Sequence, residues 1–177
     1  MARLIKAIPI AFLVAALGTM EALADEPSTF FGRYSGTGIT QTPDASFFGL
    51  VPRDLDVQIG PEGDGFFVEW TTVIRDLAEP EPRRRTSRVS FTPTERPGFY
   101  KESRAGEPVT DGALRWAAIA GRTLIVNVVA ILDDGGYGVQ TYERTIRDSD
   151  EMILRFTSNR NGQAERIVTA RLKRDGS

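Results

Sequence analysis

The chain has 177 residues, 22 basic and 24 acidic, with no histidine and no cysteine. That composition excludes disulfides, structural zinc, haem ligation by histidine, and Ser-His-Asp or Cys-His nucleophilic catalysis. A near-neutral, slightly acidic balance offers no general attraction for phosphate backbones, so nucleic acid is not expected as a partner.

Residues 1–24 read as a cleaved signal peptide. Arg3 and Lys6 precede an uncharged apolar run from Ala7 to Met20, and Ala22-Leu23-Ala24 supplies a small-x-small cleavage site. The run is shorter than the roughly 20 apolar residues a membrane helix needs, so no integral membrane segment is expected after cleavage. The mature chain, 25–177, is expected to be one domain in the periplasm or secreted from the cell.

Along the mature chain, apolar and polar residues alternate with period two, which predicts half-buried strands rather than helices. The first predicted strand is Phe30 to Thr40. After it, Thr42 to Leu50 reads either as a single helical turn or as an irregular loop, placed over a barrel mouth or against the barrel exterior. Leu55, Val57 and Ile59 form one apolar strand face. From Phe66 to Arg75, the side chains of Phe66, Val68, Trp70, Thr72 and Ile74 form another.

Pro80 and Pro82 make residues 77–82 a loop, because proline gives no amide hydrogen to a ladder. Strands are then expected over Arg84 to Thr92, with Ser87, Val89 and Phe91 inward, over Gly98 to Ser103, and over Ala113 to Ala120. Leu124 to Leu132 is apolar on both faces and is expected to be the most buried strand. The last third reads as a meander of hairpins turned at Asp133 to Gly136, Asp148 to Asp150, and Asn159 to Gly162, the last carrying an Asn-Gly pair.

About nine or ten short strands joined by sequential hairpins predict an all-β fold, an up-and-down antiparallel barrel, with a β-sandwich as the alternative. Gly32-Arg33-Tyr34 near the mature N-terminus resembles the Gly-x-Trp of lipocalins, members of the calycin group. In that family an arginine late in the barrel packs across the tryptophan, and Arg171 is the counterpart the resemblance implies. The resemblance implies a barrel able to hold a small molecule.

Candidate ligand-binding residues are the aromatic and polar groups of the strands, Tyr34, Trp70, Trp116, Asn127, Tyr142 and Phe156. No catalytic residue, metal or cofactor is predicted. Glu69 and Glu143 are the carboxylates placed for chemistry, but each is expected on a solvated strand face opposite a cross-strand arginine. Asp133 and Asp134 read as a hairpin turn, and Arg83-Arg84-Arg85 with Arg88 as a solvated or edge-protecting basic run.

The expected function is that of an exported envelope protein binding a small apolar ligand in a lipocalin-like barrel. The alternatives are a protein-interaction module acting through its loops, such as a protease inhibitor or assembly factor, an enzyme acting through carboxylates or tyrosines in the barrel mouth, which is the least supported, and a small outer-membrane barrel. The C-terminal Arg-Leu-Lys-Arg-Asp-Gly-Ser, without a terminal aromatic, opposes the last.

Overall fold

The structure, a computed structural model, describes residues 26–41, 51–74, 81–104 and 112–176. Ten strands form one closed antiparallel barrel in which each strand pairs with its neighbours in sequence and β1 closes onto β10. The strands are β1 (Gly32–Gln41), β2 (Val51–Glu62), β3 (Gly65–Ile74), β4 (Arg83–Pro93) and β5 (Phe99–Glu102), followed by β6 (Leu114–Ala120), β7 (Thr123–Ile131), β8 (Tyr137–Ile146), β9 (Glu151–Arg160) and β10 (Gln163–Arg174). This is the up-and-down barrel expected from the hairpin pattern, and the sandwich is excluded.

Because side chains alternate across a strand and register locks neighbouring strands, one inward residue fixes the orientation of all the others. Val57 faces Trp70, Trp70 faces Ser87, Val126 faces Tyr142, Tyr142 faces Phe156, and Phe156 faces Val168. Several strands have a buried end and a more open one. On β4 the inward residues Phe91 and Val89 are buried, Ser87 is half-buried and Arg85 is exposed; β8 runs likewise from buried Ile146 and Arg144 to half-buried Tyr142 and Gln140.

The buried ends share one pole of the barrel, filled by Ile59, Phe66, Phe91, Ile119, Leu124, Met152 and Leu172. The Phe66 ring lies 5.4 Å from that of Phe91 and 5.0 Å from that of Tyr100. A 3-10 turn, Pro27–Phe30, drives Phe30 into this pole as a fully buried plug. The predicted first strand therefore starts later than Phe30, because Pro27 sets a helical turn and the chain straightens only at Gly32.

Small residues bring β1 and β10 together. A Cβ on Gly36 would strike the Arg171 carbonyl oxygen, and one on Gly38 would lie 2.9 Å from the Ala170 Cβ and 3.1 Å from Leu55 Cδ1. The Asn-Gly hairpin between β9 and β10 places both Asn161 (φ 49°) and Gly162 (φ 81°) in the left-handed region, as that turn requires. By contrast, β7 is not buried on both faces: Leu124, Val126 and Val128 are buried inward, whereas Ile125, Asn127 and Val129 are half-exposed outward and Ile131 is exposed. Its outer face mixes apolar Ile125, Val129 and Ile131 with Thr123 and Asn127 and is only partly covered.

Candidate functional site

At the pole opposite the Phe30 plug, the barrel opens into a cavity of about 600 Å³. Ten strands enclose more than side chains fill, whereas eight leave room for little else. The walls are Leu55, Val57, Trp70, Val89, Val128, Tyr142, Leu154, Phe156 and Val168; Thr72, Arg85, Ser87, Glu102, Arg115, Gln140 and Arg166 give the polar part. The volume falls in the range of roughly 300–1,000 Å³ usual for small-molecule sites.

Three of the sequence-predicted ligand residues meet here. The Tyr142 ring lies 5.1 Å from that of Trp70 and 4.7 Å from that of Phe156, a continuous aromatic wall across β3, β8 and β9. The Tyr142 hydroxyl donates to Gln140 Oε1 at 3.1 Å. Burial raises its pKa, against the attraction of Arg144, Arg85, Arg115 and Arg166. Four arginines thus border the same cavity as this phenol.

The other three lie elsewhere. Tyr34 is fully buried at the closed pole, where its hydroxyl donates to the Phe30 carbonyl at 3.2 Å and receives Arg174 Nη2 at 2.6 Å. Trp116 and Asn127 are register partners on the outer face, since Ala117 and Val126 point inward beside them. Asn127 Oδ1 accepts from Thr141 there at 3.1 Å. Both were expected to line the cavity; strand parity turns them away from it.

The arginine across the aromatic ring is Arg174, not Arg171. Its guanidinium lies 4.9 Å from the centre of the Tyr34 ring and donates to the Phe31 carbonyl at 2.6 Å. Arg171 faces outward, 72 % exposed, 3.6 Å from Glu151. Arg171 and Arg174 have opposite parity, and past the bulge at Ala164–Arg166 it is the even-numbered residues of β10 that point inward.

The basic run divides in the same way. Arg88 faces outward, stacks on Phe67 at 3.7 Å and pairs with Glu62 at 3.0 Å and Glu69 at 3.6 Å. Arg85 is exposed, as expected of a solvated run, and also borders the cavity. Glu143 pairs with its cross-strand partner Arg155 at 2.9 Å, so both singled-out carboxylates are held by facing arginines as expected. Asp134 is occupied by its hairpin, accepting from the Gly136 amide at 2.9 Å and from Arg160 at 2.7 Å. The Thr42 to Leu50 stretch lies outside the described residues.

Sequence reasoning passed over Arg144. It is fully buried, borders the cavity, and lies 5.5 Å from the Trp70 ring centre and 5.3 Å from that of Tyr142. The signal was available in its parity with Tyr142, because two residues along a strand share a face. The same rule adds Arg85 to the Ser87 face, Arg115 to the Ala117 face and Arg166 to the Val168 face. Arg115 is already matched by Glu102, at 3.1 and 3.3 Å from its two carboxylate oxygens.

Fold and site together define a closed ten-stranded barrel with one plugged pole and one open, arginine-bearing cavity. Neither the protein-family models nor the curated proteins include a match to this chain. Solved structures do resemble it. The S-type phycobiliprotein lyase CPES from Guillardia theta superposes with a TM-score of 0.58 at 10 % identity, over 85 % of this chain and 91 % of that one. A protein of unknown function from the DUF3598 family of Nostoc punctiforme gives 0.57 at 11 % identity, over 85 % of this chain and 49 % of its own. At such identities the likeness is one of fold, and this chain spans about half of the second protein.

Proposed function

We propose that the protein is an exported, lipocalin-like carrier that holds one small, largely apolar molecule inside its barrel. The cavity carries this reading: a space of about 600 Å³, walled by Trp70, Tyr142, Phe156 and aliphatic side chains and sealed beneath by packed residues. A barrel serving only as a scaffold is more stable with its interior filled, since protein cores pack at crystal-like density. The likeness to a phycobiliprotein lyase agrees with a ligand inside the barrel and leaves the ligand unassigned. Export rests on the tripartite pattern of residues 1–24, and places the carrier in the periplasm or outside the cell.

The test is the native mass of chain 25–177, purified gently from the envelope fraction of its own cells, compared with its denatured mass. The expected result is an excess of small-molecule size that falls in Val89→Trp, whose indole projects into the cavity. Equal native and denatured masses, together with no change in Trp70 emission on adding dodecanol, overturn the reading.

A second reading has its own observation. On the outer face Leu114, Ile131 and Tyr137 are 40 %, 43 % and 45 % exposed, and Leu114 and Val139 flank Val129 in the β6–β7–β8 ladder. A protein partner docking there is the interaction-module alternative. A loss of partner capture in Leu114→Ser with Ile131→Ser, with ligand retention unchanged, would favour it.

A further inference from the structure

We propose that the cavity selects an amphipathic organic carboxylate, with Arg144 taking its anionic head and the Trp70–Tyr142–Phe156 wall its apolar body. The inference rests on the carrier reading and names its ligand class.

Arg144 is the observation that demands it. Among the described residues it is the one charged side chain that is fully buried, and its Nε and Nη1 have no hydrogen-bond partner. Burial pushes its pKa down to about 10, opposed by Tyr142, so it still carries its charge at neutral pH. The ring faces of Trp70 and Tyr142 attract a guanidinium within about 6 Å of a ring centroid, yet they do not satisfy directional N–H donors. A buried cation with unmet donors is costly unless an anion is supplied. None of the ion pairs among the described residues supplies one; of the two carboxylates in the cavity lining, Glu102 belongs to Arg115 and Asp56 is exposed on the outward parity of β2.

The charge count selects the class. A single guanidinium balances one unit of negative charge, and it lies between two rings whose faces are themselves negative. A phosphate monoester, carrying about −1.5 to −2 near neutrality, leaves surplus negative charge against those rings. A carboxylate does not, and it accepts from several donors at once. Arg85 and Arg166 border the cavity further along β4 and β10, where solvent reaches them, so they draw an anion in without defining its final position. Because Arg144 borders the cavity while shut from water, the arriving head shifts the Trp70–Tyr142 pair, and Trp70 emission reports it.

Trp70 and Trp116 are the two tryptophans of the chain, so Trp116→Phe, on the outer face, leaves Trp70 as the sole reporter. In that background, dodecanoate, dodecanol and dodecyl phosphate are titrated against otherwise wild-type protein, Arg144→Met and Arg166→Gln. The proposal expects dodecanoate to bind at least about 30-fold more tightly than dodecanol, a preference that Arg144→Met abolishes and Arg166→Gln leaves in place. Equal affinities for the acid and the alcohol overturn the carboxylate assignment while leaving the carrier reading intact. A preference that survives Arg144→Met but falls with Arg166→Gln or added salt moves the anion to the mouth and overturns the role of Arg144. Tighter binding of dodecyl phosphate overturns the choice of head group. If no probe binds, the carrier reading fails and takes the proposal with it.

Discussion

The closed pole of the barrel and the floor of its open cavity each hold an arginine beside a tyrosine ring, and the pairs have opposite physical character. At the closed pole the Arg174 guanidinium is 4.9 Å from the Tyr34 ring centre, and it donates to both the Tyr34 hydroxyl and the Phe31 carbonyl at 2.6 Å. At the floor of the open cavity Arg144 is 5.3 Å from the Tyr142 ring centre, more deeply buried, with two donors unmet. Similar ring contact therefore serves two ends. Arg174 ties the N-terminal turn to the last strand and stabilises the fold; Arg144 stores an unsatisfied charge where a ligand can meet it.

The largest expected contrast lies in the cores of the two poles. Phe66→Ala removes a fully buried ring packed against Phe91 and Tyr100, and is expected to cost about 3–5 kcal/mol. Phe156→Ala removes a ring that already borders empty space, and is expected to cost about half as much. Urea unfolding of both variants measures the difference. Equal losses would mean that the open pole is as tightly packed as the closed one.

Next comes the arginine of the closed pole against its neighbour on β10. Arg174→Met loses charge-assisted hydrogen bonds to Phe31 and Tyr34 and is expected to destabilise by about 2–3 kcal/mol. Arg171→Met loses only an exposed contact of 3.6 Å with Glu151 and should stay within about 0.5 kcal/mol of wild type. Had Arg171 been the packing arginine, the order would reverse.

That pair also shows how far the sequence could be read. Period-two alternation and turn residues were enough to place the ten strands in order, because each hairpin is local and a closed meander needs no long-range choice. Site assignment needed more. Aromatic character drew attention to Trp116, which parity turns outward, and away from Arg144, which parity turns inward; an arginine at an inward position violates the apolar rule by which inward faces are recognised. Phase errors of one residue on β6, or of three on β10, leave the strand assignment intact and reverse the chemistry. The Phe30 plug was hidden for another reason, since a single 3-10 turn is too short to show a period.

Arg144→Met sharpens the comparison from the functional side. Replacing a buried, unsatisfied charge by an apolar side chain of similar length is expected to raise the stability of the ligand-free protein by about 1–2 kcal/mol, opposite in sign to Arg174→Met. Chemical denaturation of ligand-free protein checks it. A loss of stability as large as that of Arg174→Met would mean that Arg144 is structurally satisfied, and the division between the two poles would fall.

The smallest expected effect is in alkaline solution and concerns the phenols themselves. Burial raises the pKa of Tyr34 and of Tyr142 above the ordinary 10.0, in each case against the pull of the adjacent arginine. A group whose pKa is higher in the folded than in the unfolded state holds its proton more tightly when folded. Its contribution to stability is therefore complete below pH 10.0 and is lost as the pH rises through the folded value. Unfolding midpoints should fall above that pH, and both Tyr34→Phe and Tyr142→Phe should flatten the decline. Arg144 is the first of the groups that lower the Tyr142 value, so Arg144→Met should move the Tyr142 titration to still higher pH, as read by phenolate absorbance, and leave Tyr34 unmoved. A shift shared by both tyrosines would show that the two poles are electrostatically one site.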